Sequence, residues 1–143
     1  MQASNALAST TEVQAFIHEY FGAWQGTDEE RIMSYFAEHV VLQLPGTLLN
    51  GKEAVREQFV RPFITAFPGN RHIAKNMIFG RDVVVVEWSI EAEHKGPFAG
   101  HPATGAQIEL PGCSVYEYDP LNRQITGRSV YFDFATLLRQ IGA

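Results

Sequence analysis

The chain has 143 residues, with 11 lysines and arginines against 16 aspartates and glutamates for a net charge of −5, which fits one domain and leaves no room for two full ones. At 45% hydrophobic and 19% charged residues it can close a sizeable core and carries too little charge for a disordered chain. An isoelectric point of about 5.5 and the lack of any lysine and arginine cluster exclude a nucleic acid or an anionic membrane as the main partner. A single cysteine, Cys113, excludes an internal disulfide and the usual zinc spacings, so no metal is expected. Met1 to Thr11 lack a basic start and an apolar core, and no stretch approaches the roughly 20 apolar residues of a membrane span. The reading is a soluble, untargeted cytoplasmic protein whose residues 1–11 form a flexible tail.

In chain order, Val13, Phe16, Ile17, Tyr20, Phe21 and Trp24 lie on one face of a first helix, opened by a capping box of Ser9 and Glu12 and closed by Gly26. Thr27 with Glu30 repeats the cap ahead of a second helix carrying Ile32, Met33, Tyr35 and Phe36. A brief strand, Val40 to Leu44, stops at Pro45-Gly46. Asn50 and Glu53 then cap a third helix through Ala54, Val55, Gln58 and Phe59, which Pro62 is expected to break. After Pro68-Gly69 the period becomes two. Four long strands are expected, His72 to Phe79, Val83 to His94, Gln107 to Tyr118 and Gln124 to Phe132, the middle pair joined by a loop rich in glycine and proline. Asp133 caps a short last helix with Phe134, Leu137, Leu138 and Ile141 on one side. This order describes an α+β domain, three N-terminal helices packed on a strongly curved, mostly antiparallel sheet.

Two strings sharpen this picture: the loop from His94 through Gly96, Gly100 and Pro102 to Thr104-Gly105, and the ending Tyr131-Phe132-Asp133 followed by Leu137-Leu138-Arg139-Gln140-Ile141-Gly142. They and the order of elements resemble the SnoaL-like polyketide cyclases, a family of the cone-shaped nuclear transport factor 2-like superfamily, from about Val13 to Gly142. Gln124 to Phe134, with Ile125-Thr126-Gly127, is also similar to the last strand of limonene-epoxide hydrolases. The resemblance implies a cone-shaped α+β barrel and a homodimer formed through the convex sheet face. It implies no single chemistry, since the fold hosts cyclases, isomerases, hydrolases, dehydratases and plain binders. In the cyclases and epoxide hydrolases an acid three positions before the Tyr-Phe-Asp aspartate moves the proton, and here that position is Val130. The cyclase histidine and asparagine fall on Ser114 and Leu44. A ketosteroid-isomerase reading keeps the first-helix tyrosine as Tyr20, but its base falls on the same Leu44 and its second acid on or near Ser114.

Strand parity sorts the remaining candidates, because alternate side chains face opposite ways. Trp88, Ile90, Ala92 and His94 share one face, and Glu87, Ser89, Glu91 and Glu93 the other, where the glutamates form a solvated or subunit-facing row. Arg128, Val130 and Phe132 point inward, as do Ser114, Tyr116 and Tyr118. His94, which also matches the histidine of the family's loop string, is the first candidate for acid/base work, or else a histidine that only bonds the loop backbone. Arg128 on an apolar row could hold an anionic or enolate oxygen, or form a buried pair with Glu109 or another carboxylate. Asp133 reads as a helix cap before a catalytic acid, and His72 and His101 as strand-end and loop residues.

The expected pocket is lined by Leu44, Trp88, His94, Ser114, Tyr116, Arg128, Val130 and Phe132 and closed by first-helix aromatics including Tyr20. Two functions stay open. One is a cofactor-independent cyclase or isomerase acting by proton transfer on a small apolar, cyclic or polyketide-like molecule, with His94 as acid/base and Arg128 or Tyr116 polarising an oxygen. The other is a non-catalytic module of the same fold that holds a hydrophobic ligand, which Val130 favours.

Overall fold

A computed structural model describes residues 9–143. The first eight residues of the expected tail lie outside that range, while Ser9, Thr10 and Thr11 are already part of a helix start. Helix α1 (Thr10–Gln25) begins with the capping box: the Ser9 hydroxyl accepts from the Glu12 amide at 3.1 Å, and the Glu12 carboxylate accepts from the Ser9 amide at 2.9 Å. Its inner face buries Phe16, Ile17, Tyr20, Phe21 and Trp24.

Helix α2 (Glu29–Met33) is shorter than expected and is capped by Asp28 instead of Thr27, which sits at φ 57°. Tyr35 and Phe36 leave it because the sheet claims them: the Tyr35 carbonyl accepts from the Ile125 amide at 2.7 Å, and Phe36 opens strand β1 (Phe36–Leu44). A turn at Pro45-Gly46 leads to strand β2 (Thr47–Asn50), whose four residues are too few to show a period.

The third helical stretch runs through Pro62 unbroken, as α3 (Lys52–Val55), a π-helical turn (Arg56–Val60) and α4 (Arg61–Ala66). Gly51 occupies the cap position, so the expected Asn50 and Glu53 box does not form. The Arg61 amide reaches back five residues to the Arg56 carbonyl, and this wide turn sets Pro62 in the first turn of α4, where a missing N–H is harmless. Glu29 ties the turn down, accepting from Arg56 and Arg61 at 2.9 Å each. Those hydrogen bonds, from Arg61 and then Arg56, hold the Glu29 carboxyl down at about 2.

Strands β3 (Arg71–Phe79), β4 (Val83–Glu93), β5 (Gln107–Asp119) and β6 (Gln124–Phe132) form the expected meander. The full sheet has the order β2-β1-β6-β5-β4-β3, with β1 and β6 parallel and every other pair antiparallel. It is strongly curled without closing. α1 lies in its concave face, where Phe16 meets Tyr118 with ring centroids 4.6 Å apart, Tyr20 meets Tyr116 at 6.0 Å and Trp24 meets His72 at 5.2 Å. On the other face Glu91 pairs with Arg71 at 2.9 Å, and Glu87 and Glu93 accept from Asn76 and Gln107, a row of exposed cross-strand contacts. Helix α5 (Phe134–Gln140) folds across the open end, its first amides, of Ala135 and Thr136, capped by the Asp133 carboxylate. No helix among the described residues is long and apolar enough to cross a membrane.

Candidate active site

A cavity of about 330 Å³ opens between the concave sheet face and the run from α3 to α4. Phe59, Pro62 and Phe63 form its helical wall, Trp88, Ile90 and Leu110 the opposite wall, and Leu44, Val130 and Phe132 its flank. Phe98 of the β4–β5 loop and Phe134 and Leu137 of α5 stand at its rim. Glycine is obligatory behind Trp88: a Cβ on Gly112 would lie 2.2 Å from the indole. That lets the indole lie flat on β5 and reach Ser114, whose hydroxyl accepts from Trp88 Nε1 at 2.9 Å.

Arg128 projects from β6 into this space as parity predicts, and is 5% exposed. Its Nη1 donates to the Tyr20 hydroxyl at 2.7 Å and its Nη2 to the Ser114 hydroxyl at 3.2 Å, while Nε has no partner. The guanidinium carbon sits 4.9 Å from the Tyr116 ring centroid and 5.1 Å from that of Phe59, both cation–π distances. The alternative of a Glu109 pair is overturned, because Glu109 is exposed and its backbone is held by the Gln140 amide at the far end of the sheet. Tyr20, Ser114 and Tyr116 therefore do not line the cavity. They lie behind Arg128 and fix it, and burial pushes the Tyr20 and Tyr116 hydroxyls up, so both are neutral phenols.

His94 departs from its expected place. It is fully buried at the end of β4 but does not line the cavity. Its Nδ1 accepts from the Thr104 backbone amide at 3.3 Å and lies 2.9 Å from the Thr104 hydroxyl, and its ring packs on Phe67 at 5.5 Å. The cause is the glycine-rich loop, which folds back on α4: Lys95 and Gly96 both donate to the Ala66 carbonyl, and a Cβ on Gly96 would lie 2.2 Å from the Thr65 carbonyl oxygen. His94 thus pins that loop.

The histidine in the cavity is His72, expected at a strand end. Its ring stacks on Trp24, and its Nδ1 lies 2.7 Å from the Asn70 Oδ1. Asn70 is fully buried and spends its amide hydrogens on the Phe67 and Trp24 carbonyls, at 3.0 and 3.3 Å. Its oxygen must therefore accept, so Nδ1 carries the proton and Nε2 keeps a free lone pair. Desolvation by burial, reinforced by the charge of Arg128, pushes the imidazole down to about 3 and keeps it neutral. Asn70 immediately precedes β3 and His72 is its second residue, so the two are spaced i and i+2, the sequence signal that could have joined them. Among the described residues no group of His, Cys, Asp and Glu could hold a metal ion.

A curled sheet over a helix, with an imidazole and a guanidinium reaching an aromatic cavity between them, is an arrangement of the ketosteroid isomerase-like fold. The family model of the SnoaL-like polyketide cyclases matches residues 13–141, and the chain belongs to that family. Solved structures share the fold. A protein from Jannaschia sp. CCS1 described as a SnoaL-like polyketide cyclase superposes with a TM-score of 0.80 at 18% identity, over 95% of this chain and 96% of that one. One from Acidithiobacillus ferrooxidans described as a polyketide cyclase gives 0.77 at 25% identity, over 94% and 97%. A protein of ketosteroid isomerase-like fold from Catenulispora acidiphila DSM 44928 gives 0.73 at 16% identity, over 89% and 92%. No curated protein sequence matches the chain.

Proposed function

We propose that the chain binds a small apolar carbonyl compound in this cavity and moves a proton on it without a cofactor, as a cyclase or isomerase does. The observation that carries the reading is the free Nε2 lone pair of His72, held by Asn70 at a cavity that also receives Arg128. His72 Nε2 takes a proton from the carbon beside the carbonyl, and the electron pair of that C–H bond moves onto the carbonyl oxygen. Arg128 faces the oxyanion that forms. The imidazolium then returns its proton to the product. Burial first and the charge of Arg128 second hold the His72 imidazole low in this cavity, and negative charge growing on the substrate oxygen offsets the second of these as the proton moves. Val130, where the resemblance places the acid of related cyclases, leaves this histidine as the base of the cavity.

Ligand-observed NMR selects cyclic ketones, 2-tetralone among them, that bind the protein. Uptake of solvent deuterium beside their carbonyl then measures proton transfer. Wild type should exceed buffer, and His72→Gln should lose on the order of a hundredfold or more of that rate while still binding the ketone. Bound ketones that exchange no faster than in buffer would overturn the proposal and leave the non-catalytic binding module.

A further inference from the structure

Arg128 is a positive charge removed from water with nothing negative to meet it. Its protein partners are two neutral hydroxyls and the faces of aromatic rings. No aspartate or glutamate lines the cavity, and the neighbouring titratable group, His72, is neutral. Of the five N–H hydrogens of a guanidinium, two go to Tyr20 and Ser114, and the buried Nε has no partner. Trp24 Nε1 is a second buried donor without a partner, on another residue of the same lining. A structural arginine in such a place would be paired, since an isolated buried charge is expensive and an apolar side chain of similar volume would pack there at lower cost. The two hydroxyls aim the guanidinium without neutralising it.

We infer that the cavity takes a monoanionic organic acid, its negative oxygen seated at Arg128 and an apolar ring or chain lying against Phe59, Trp88 and Leu110. The inference rests on the cavity proposed above as a ligand site and requires binding only: the anion takes the seat at Arg128 that the oxyanion of the proposed reaction would take, and so binds as a mimic of that oxyanion and not as the ketone that reacts. The charge can reside on a carboxylate or on the enolate of a 1,3-dicarbonyl, which present the same delocalised oxyanion. The volume of about 330 Å³ sits at the small end of ligand pockets and restricts the body to one or two rings.

Calorimetry at pH 7.5 on the full chain tests this with two pairs of probes: 2-naphthoate against 2-naphthamide, and the enolate of 5,5-dimethylcyclohexane-1,3-dione against 3,3-dimethylcyclohexanone. Each anion should bind roughly tenfold to a hundredfold tighter than its neutral counterpart, the yield of one charge-assisted hydrogen bond. The tighter of the two anions identifies which source of charge the site prefers. Arg128→Met should erase the preference and Arg128→Lys should keep part of it. Should Arg128→Met fail to fold, the wild-type ratios decide alone. Neutral probes that bind as tightly as the anions, a preference that survives in Arg128→Met, or no binding of any probe at millimolar concentration would each overturn the inference. Deuterium exchange without an anion preference sinks this inference and spares the proposed reaction, whereas an anion preference without exchange does the reverse.

Discussion

Lowering the pH from 7 to 5 should cost this protein stability through one residue, His72. Burial and the charge of Arg128 hold its imidazole at about 3 in the folded chain, against 6.5 in an exposed one. Between those values the unfolded chain binds a proton that the native chain refuses, so stability is complete above about pH 6.5 and falls as the pH falls toward 3. At pH 5 the unfolded histidine lies 1.5 units below its own pKa, and at about 1.36 kcal/mol per unit the loss is about 2 kcal/mol. Urea midpoints at pH 7 and 5, measured for wild type and for His72→Gln, isolate the effect. Carboxylates such as Glu29, held low by Arg61 and Arg56, lose their contribution only as the pH drops below their ordinary range, and they act alike in both proteins. Wild type should lose about 2 kcal/mol more than the variant over this interval. Equal losses in the two proteins would refute the lowered basicity of His72.

Gly112→Ala places a methyl group 2.2 Å from the Trp88 ring, so denaturant unfolding should show a loss of about 1–3 kcal/mol from overpacking, accompanied by a shift in tryptophan fluorescence as the indole leaves Ser114. Asp133→Ala removes the cap that accepts from Ala135 and Thr136 and should cost about 1 kcal/mol in the same assay. Its effect on affinity for the naphthoate probe should exceed that of a substitution at the exposed Leu121, because α5 carries Phe134 and Leu137 at the cavity rim.

The elements with a sustained period were legible from the chain: α1 with its capping box, the four-strand meander and the Asp133 cap depend on local spacing that tertiary contacts do not override. β2 was not, being four residues long, and Pro62 misled because a π-helical turn, invisible to a 3.6-residue period, absorbs it. In the cavity, parity placed Trp88, Arg128, Val130 and Phe132 on the inner face, since alternation along a paired strand is obligatory. Parity also put His94 inward, and it is buried there against Phe67, but it lies beyond the last paired residue of β4, where the path of the loop and not the pleat keeps it out of the cavity lining. In β3 a bulge between Ala74 and Asn76 interrupts the alternation, so the strand's apolar residues do not mark the side on which His72 meets α1. The resemblance pointed to the family and the cone, and the substitutions at Leu44, Ser114 and Val130 meant that the family's own proton-moving positions could not indicate His72.

Long-range ¹H–¹⁵N correlation of the histidine rings, with His72 assigned by comparison with His72→Gln, addresses most directly the claim that this residue presents a free lone pair to the cavity. The expected spectrum at pH 7 shows His72 protonated at Nδ1 and bare at Nε2, with no titration as the pH is lowered to 5. A proton on Nε2, or a titration near 6.5, would contradict the claim.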